Sequence, residues 1–425
     1  MVYYGEETRH AVENFDLGHK KTDMNLIYAI ATVKKAAALT YAELGTDPDK
    51  YRCIAEICDM ITSGEFDGNF VTEALQGGAG TCTNMNVNEV IAAAASEKLG
   101  LPVHPLDDVN RGQSTNDVYP TALRIAAVRL LRKLSDACAH LQETLQRREN
   151  EFDSVKKLGR TEMMDAVPVT LGSEFGAYAQ AIARDRWRLY KVEERLRQVN
   201  IGGTAVGRYD NAERKYRFRV VEKLRELTGI GLAAAEYPMD VTQNNDVFVE
   251  VSGLLKALAV NLMKIANDMR LMNSGPHGGF GEIRLPEMQK GSSIMPGKVN
   301  PVIPEMVMQC AMRVVADDAA ITMAAGRGEF ELNAFLPLIA DSLLDSLSLL
   351  ERAVFLFDGK CIALLKADGK RCGELLENSF AFATSYTPLL GYDTVAETVK
   401  ESADPQEAIR KLKAMAEKME RRAGR

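Results

Sequence analysis

Three apolar stripes, each about six turns long on a 3.6-residue period, constrain this chain more than any other feature. Leu123, Ala127, Leu130, Leu134, Ala137, Leu141 and Leu145 form the first. Phe175, Tyr178, Ile182, Leu189, Val192, Leu196 and Val199 form the second, with one turn skipped. Val247, Val251, Leu254, Leu258, Leu262, Ile265 and Met269 form the third. A fourth helix is predicted from near Pro304 past Val315, and a fifth from Ala340 to Phe357. Aromatic residues are only 7% of the chain, and Ala, Leu, Glu, Lys, Arg and Met are abundant, which favours helix over strand. Helices of this length in one chain predict an all-α bundle of parallel and antiparallel rods, with the stripes as its core. The tail from Asp404 to Arg425 alternates charges at helical spacing and reads as a solvated helix.

Composition removes several classes of function. Apolar residues are 46% and charged residues 26% of 425, which suits a folded chain with a large core. Lys and Arg number 52 against 59 Asp and Glu, a formal charge of −7, so neither nucleic acid nor an anionic membrane is an expected partner. Any site for a small anion must be built locally. The seven cysteines are scattered without a C-x-x-C pair, and the five histidines lack metal-ligand spacing. Free thiols in a reducing compartment, hence the cytoplasm, are expected, and no metal site. No apolar run reaches 18 residues, and the opening MVYYGEETRH lacks the pattern of a secretory signal.

The chemistry is carried by the breaks between helices. The first, Gly77-Gly78-Ala79-Gly80-Thr81-Cys82-Thr83-Asn84, lets backbone N–H groups approach a ligand but lacks the Lys of a Walker loop. Asn110-Arg111-Gly112-Gln113-Ser114-Thr115-Asn116-Asp117 opens the first long stripe with good capping residues, and a hydroxyl-rich helix start is also an anion site. A third break, Gly159 to Pro168, precedes the second stripe. The fourth, Gly275 to Pro301, holds six Gly and four Pro in 27 residues between two strong helices, and a long connection of this kind is usually a lid or binding loop. It carries Ser292, Ser293, Lys298 and Asn300. Ser292 has no His-Asp partner pattern, yet it could act as a base if loop N–H groups and a cation such as Lys298 stabilised its alkoxide.

These breaks resemble the aspartase/fumarase superfamily. GSSIMPGKVNP at 291–301 is similar to its hallmark loop, and GGAGTCTNMNVNEV at 77–90 and GQSTNDVYPTALRIA at 112–126 match two further blocks. YYGEETRHAVENF at 3–15, DVFVEVSGLLKALAVNLMKIANDMRL at 246–271 and GEFELNAFLPLI at 328–339 extend the likeness over most of the chain. The helix lengths and the break at Gly359 divide the chain into an N-terminal helical domain over 1–113, a central long-helix bundle over 114–358 and a small C-terminal helical domain over 359–425. The resemblance implies a homotetramer with a 20-helix core, active sites shared by three subunits, and an amino-acid or dicarboxylate substrate with no cofactor. Ser292 would be the base that takes the Cβ proton. Thr81, Ser114, Thr115 and Ser293 would stabilise the aci-carboxylate, and Lys298 and Asn300 would hold the other carboxylate. Asn116 and Thr161 would contact the leaving amine, and Glu305 would be the acidic residue beside the acid/base position. For each single hydroxyl the plain alternative is helix capping.

GGAGT, STND and KVNPVIPE lean toward aspartase, so elimination of ammonia, or of a modified amine, from L-aspartate or a close relative to give fumarate is expected. Two alternatives stand beside it: a class II fumarate hydratase, and a C–N lyase releasing a substituted or quaternary amine from another amino acid. Two departures bear on the choice. Glu162 follows Gly159-Arg160-Thr161 where the family usually has His or Gln, and next to Glu305 it would either share a proton or hold a cation. The family's G-T-x-x-N-T segment reads Gly207-Arg208-Tyr209-Asp210-Asn211-Ala212, which makes Arg208 and Tyr209 possible specificity residues for an extra anionic group or a methylated ammonium.

Overall fold

The computed structural model describes residues 1–423, so Gly424 and Arg425, the last two residues of the expected C-terminal domain, lie outside the described residues. The fold is all-α. Helices α1 (Glu6–Asn14), α2 (Met24–Glu43), α3 (Pro48–Thr62) and α4 (Thr81–Leu99) precede α5 (Thr115–Glu151), the longest at 37 residues. After it come α6 (Leu171–Val192), α7 (Arg214–Thr228), α8 (Pro238–Gln243), α9 (Asp246–Met272), α10 (Val302–Ala325) and α11 (Leu336–Phe357). The chain ends with α12 (Gly369–Glu377), α13 (Thr387–Leu390), α14 (Tyr392–Lys400) and α15 (Pro405–Ala423). Among the described residues strands occur only as pairs: β1 (Lys156–Thr161) antiparallel to β2 (Met164–Thr170), β3 (Gln198–Val199) parallel to β4 (Ala233–Ala234), and β5 (Ile283–Arg284) antiparallel to β6 (Lys366–Ala367).

Two compact units are present. One comprises Met1–Asp136, Asp185–Val260 and Cys310–Arg352, and the other Ala137–Arg184, Asn261–Gln309 and the chain from Ala353 onward. Each of α5, α6, α9, α10 and α11 supplies residues to both.

All seven residues of the first stripe are buried, and so are all seven of the second. The second stripe is not one helix, however. Helix α6 stops at Val192, and Glu193–Arg197 is a 3-10 turn. Gln198 and Val199 leave the helical path to pair with Ala233 and Ala234. Five residues of the third stripe, Val251, Leu258, Leu262, Ile265 and Met269, are buried, and the buried line departs from the expected one at two points. Phe248 and Leu255 are buried where Val247 and Leu254 are only half-buried. Both neighbours are apolar at these two points, so periodicity alone could not choose between them. Helices α10 and α11 begin somewhat earlier than expected, at Val302 and Leu336. Helix α15 is not simply solvated: Ala408, Leu412 and Ala416 are buried, and Leu412 joins Ala383 and Val395 in a small apolar cluster.

The first unit also buries a charge. Lys34, in the middle of α2, is 1% exposed, and its ammonium donates to Asn110 Oδ1 at 2.7 Å and Gln113 Oε1 at 3.1 Å. The same Asn110 oxygen accepts from Asn84 Nδ2 and Asn88 Nδ2, each at 3.2 Å. Burial pushes Lys34 down to about 7, against the opposing pull of the nearby Asp117 carboxylate. In the unfolded chain a lysine titrates near about 10.4. Between those two values the unfolded chain holds a proton that the folded chain has released, so this residue's contribution to stability rises with pH. Wild-type stability measured against Lys34→Met should therefore increase between about pH 7 and 10, by no more than about 1.4 kcal/mol per pH unit. Urea unfolding midpoints of the two proteins across that range test this, and parallel pH profiles would contradict it.

Candidate active site

The expected site residues divide between the two units. Thr81, Ser114, Thr115, Asn116, Arg208 and Tyr209 lie in the first, and Thr161, Glu162, Ser292, Ser293, Lys298, Asn300 and Glu305 in the second.

In the first unit two helix N-termini meet. Gly80 caps α4 with φ +91°, and a Cβ there would stand 2.3 Å from the Tyr119 ring on α5, so only glycine permits the approach. Asn84 Nδ2 also donates to Thr115 Oγ1 at 3.3 Å. Thr81 is exposed at the start of α4, its hydroxyl donating to Gly78 O at 2.7 Å. Ser114 begins α5 with a reciprocal cap: its Oγ accepts from Asn116 N at 3.2 Å, and its own N–H donates to Asp117 Oδ1 at 2.9 Å. Two adjacent helix starts with hydroxyls on them concentrate unpaired N–H groups and positive dipole ends, a setting suited to a carboxylate.

Asp117 does more than cap. Fully buried, it also accepts from Gly202 N and Thr204 N through Oδ2, both at 2.9 Å. Burial pushes its carboxyl up to about 6, while those N–H groups and Lys34 favour the ionised form. Pro120, inside α5, has no N–H for the carbonyl of Asn116 four residues back, and Asn200 Nδ2 takes that place at 3.0 Å. The Asn116 side chain donates to Ala205 O at 2.8 Å. The segment from Gly202 to Asn211 is thus tied to the start of α5. It is a strained segment, with Thr204, Tyr209 and Asn211 all at positive φ besides Gly202 and Gly207. Arg208 is exposed there with no hydrogen-bond or ion-pair partner among the described residues. Tyr209 has the Arg217 guanidinium over its ring at 4.3 Å, so one candidate cation partner comes from the chain itself.

In the second unit the break at Gly159 to Pro168 is the β1–β2 hairpin, which helical periodicity did not reveal. The alternation of Val167 and Val169 was the available signal. Its two-residue turn is Glu162-Met163, at φ +53° and +65°. Hairpin turns with two left-handed residues favour Asn-Gly, so Glu-Met here is strained, and strain of this kind concentrates at functional sites. Thr161 and Glu162 are exposed, and the Glu162 carboxylate has no partner among the described residues.

The segment 275–301 folds back on itself. A Cβ on Gly291 would fall 1.4 Å from Lys298 O, so the loop crosses itself where only glycine fits. Asn300 Nδ2 closes the crossing by donating to Gly291 O at 2.7 Å. Within it Ser292 Oγ accepts from Ile294 N at 3.1 Å and Met295 N at 3.0 Å. This is a local serine turn, and it also points two N–H groups at the one oxygen that would need stabilising as an alkoxide. Ser293 is exposed. Lys298 is exposed, its ammonium unpaired among the described residues, and it lines a cleft of about 480 Å³ with Arg270, Asn273, Asn300 and Glu305. Glu305, in the first turn of α10, faces Arg270 at 3.9 Å. No hydrogen bond or ion pair within the chain joins Glu162 to Glu305 among the described residues. Arg270 was not anticipated from the sequence, where it reads only as the residue after the last buried position of a stripe.

Among the described residues no helix is long and apolar enough to cross a membrane, and no group of three or more His, Cys, Asp or Glu could hold a metal ion.

Known proteins resemble the chain over nearly its whole length. A family model described as a lyase matches residues 2–316. The chain is 42% identical over 417 residues to an aspartate ammonia-lyase of Helicobacter pylori, covering 96% of this chain and 89% of that one. It is 41% identical over 406 residues to a class II fumarate hydratase of Methylorubrum extorquens, covering 94% and 86%. A crystal structure of a fumarate lyase:delta crystallin from Brucella melitensis bound to cobalt superposes with a TM-score of 0.93 at 43% identity, over 99% of this chain and 95% of that one. With a family model over most of its length and relatives of this identity over nearly all of it, the chain belongs to the lyases of the aspartase/fumarase superfamily.

Proposed function

We propose that the enzyme eliminates ammonia, or a modified amine, from L-aspartate or a close relative to give fumarate. Overall identity does not decide this, since an ammonia-lyase and a hydratase stand at 42% and 41%. The observation that carries the reading is Glu162: an exposed, unpaired carboxylate on a strained turn, beside Thr161. A cationic amine gains from such a group, and a neutral leaving water does not. The quaternary-amine reading rests on the same carboxylate, and the hydratase reading on the M. extorquens relative.

In this reading Ser292 removes the Cβ proton. Its Oγ stands in two loop N–H groups, which supports an alkoxide there. Charge that develops on the neighbouring carboxylate as an aci-carboxylate is met by Thr81, Ser114, Thr115 and Ser293, and such preorganised donors are usually the largest catalytic contribution. Lys298 and Asn300 hold the second carboxylate, and the free Lys298 ammonium beside Arg270 fits that task. Asn116, Thr161 and Glu162 receive the leaving amine. Glu305 assists the acid/base step, and Arg208 and Tyr209 select among amine substituents. Because these groups are split between two units, the three-domain, homotetrameric organisation with shared sites is part of the proposal. Trp187 and Tyr190 on α6, Val260 on α9, and Met312 and Met323 on α10 are exposed apolar residues along long helices, which supports burial against further copies of the chain.

Fumarate absorbance should grow with L-aspartate or an N-substituted aspartate, and turnover confined to L-malate would refute the amine reading. Mass spectrometry of the released amine separates ammonia from larger leaving groups. Ser292→Ala should lower kcat by at least about 1,000-fold while a dicarboxylate still binds. Near-normal turnover in that variant would remove Ser292 as the base.

A further inference from the structure

We propose that Glu282, acting with Lys157, Arg160 and Glu174, is a positioning residue that locks the Thr161–Glu162 hairpin to the root of the Ser292 loop. The idea rests on the site reading above.

Glu282 is fully buried ten residues beyond the end of α9, within the segment that becomes the loop. One oxygen lies 2.8 Å from Lys157 Nζ and the other 2.8 Å from Arg160 Nη1. Lys157, whose side chain is 3% exposed, also binds both oxygens of Glu174 on α6, at 2.9 and 2.8 Å. The Arg160 guanidinium lies over the Phe280 ring at 4.3 Å. Two cations thus meet two anions, which is how such charges can be kept from water without a large net penalty.

The geometry depends on an irregularity in the β1–β2 ladder. Residues 157 and 160 are an odd number apart, so in a regular strand they would face opposite sides. The β1–β2 register shifts between Leu158 and Arg160, where the single residue Gly159 of β1 faces Ala166 and Val167 of β2, and across this bulge both cations reach one carboxylate. Glycine is required there because a Cβ would sit 2.7 Å from Val167 O. Arg160 is the residue before Thr161, so what holds its guanidinium also sets the start of the turn.

The other end of the lock is equally constrained. Glu282 N donates to Met272 O, and Glu282 O accepts from Asp368 N, both at 2.8 Å. Arg371 donates to Phe280 O at 3.0 Å and Gly279 O at 3.2 Å. Ile283 and Arg284 pair with Ala367 and Lys366. Apolar residues of similar size would hold such a core at least as well. Charged groups add direction: each bond fixes where a particular backbone segment sits.

The test is a double-mutant cycle in the full-length enzyme, pairing Glu282→Gln with Thr161→Val and reading kcat and KM for L-aspartate. Misplacement by about 1 Å can cost about 100-fold, so Glu282→Gln should lose roughly that, mostly in kcat. On the Thr161→Val background it should cost no more than about 3-fold further, because the group it positions is gone. Glu174→Gln, at the half-buried edge, leaves every other charge with a partner and serves if Glu282→Gln does not fold. It should show a smaller loss, about 10-fold, with the same lack of additivity. If either charge variant keeps its full effect on a slow Thr161→Val enzyme, the positioning role is overturned while the site reading survives. If Thr161→Val alone turns over normally, the site reading fails and this inference fails with it.

Discussion

The carboxylate of Asp117 joins two segments of backbone, the start of α5 and the turn at 202–204. It closes the reciprocal cap at Ser114 with one oxygen and takes the N–H groups of Gly202 and Thr204 with the other. An ionised group in that position must be fully hydrogen-bonded to be tolerated, so the start of α5 and the left-handed segment after it are held as one piece. Asn200, which fills the gap left by Pro120, and Asn116, which reaches Ala205, strengthen the same junction. Lys34 contributes from below, through Asn110 and Gln113.

The second unit solves the corresponding problem with ion pairs. There the segment to be placed is a hairpin and a long loop, which lack helix ends to cap. A β2 bulge opposite Gly159 accompanies the turn of Lys157 and Arg160 toward Glu282, and glycine at 159 and 291 permits two approaches that no other residue could make. Long helices satisfy their own backbone polar groups. Reactive side chains and exposed N–H groups are therefore found at their ends and in the connections, and those places must be stiffened by something other than helix.

Much of this was legible in the amino-acid order. Helical periodicity located the long rods, and glycine, proline and hydroxyl content marked all four breaks. The readings that needed revision share one cause. Leu254 and Leu255 are both apolar, so the buried line of α9 could be drawn through either. Val199 keeps the helical phase of its stripe yet belongs to a strand, because its partner Ala234 lies 35 residues away. The hairpin was hidden because its residues alternate only over Val167 and Val169. Arg270 and Glu282 gave no local sign, since their importance lies in what faces them.

The chain's order by itself determined the helix class, the position of each break and the family, because periodicity and short motifs are properties of neighbouring residues. The fold decided that Ser292 Oγ receives two loop N–H groups, that Glu305 faces Arg270, and that one buried carboxylate grips β1. Those contacts range from a local turn at Ser292 to residues more than a hundred positions apart at Glu282. Their energy comes from burial and from the pairing of charge and hydrogen-bonding groups, which no local pattern of residues records.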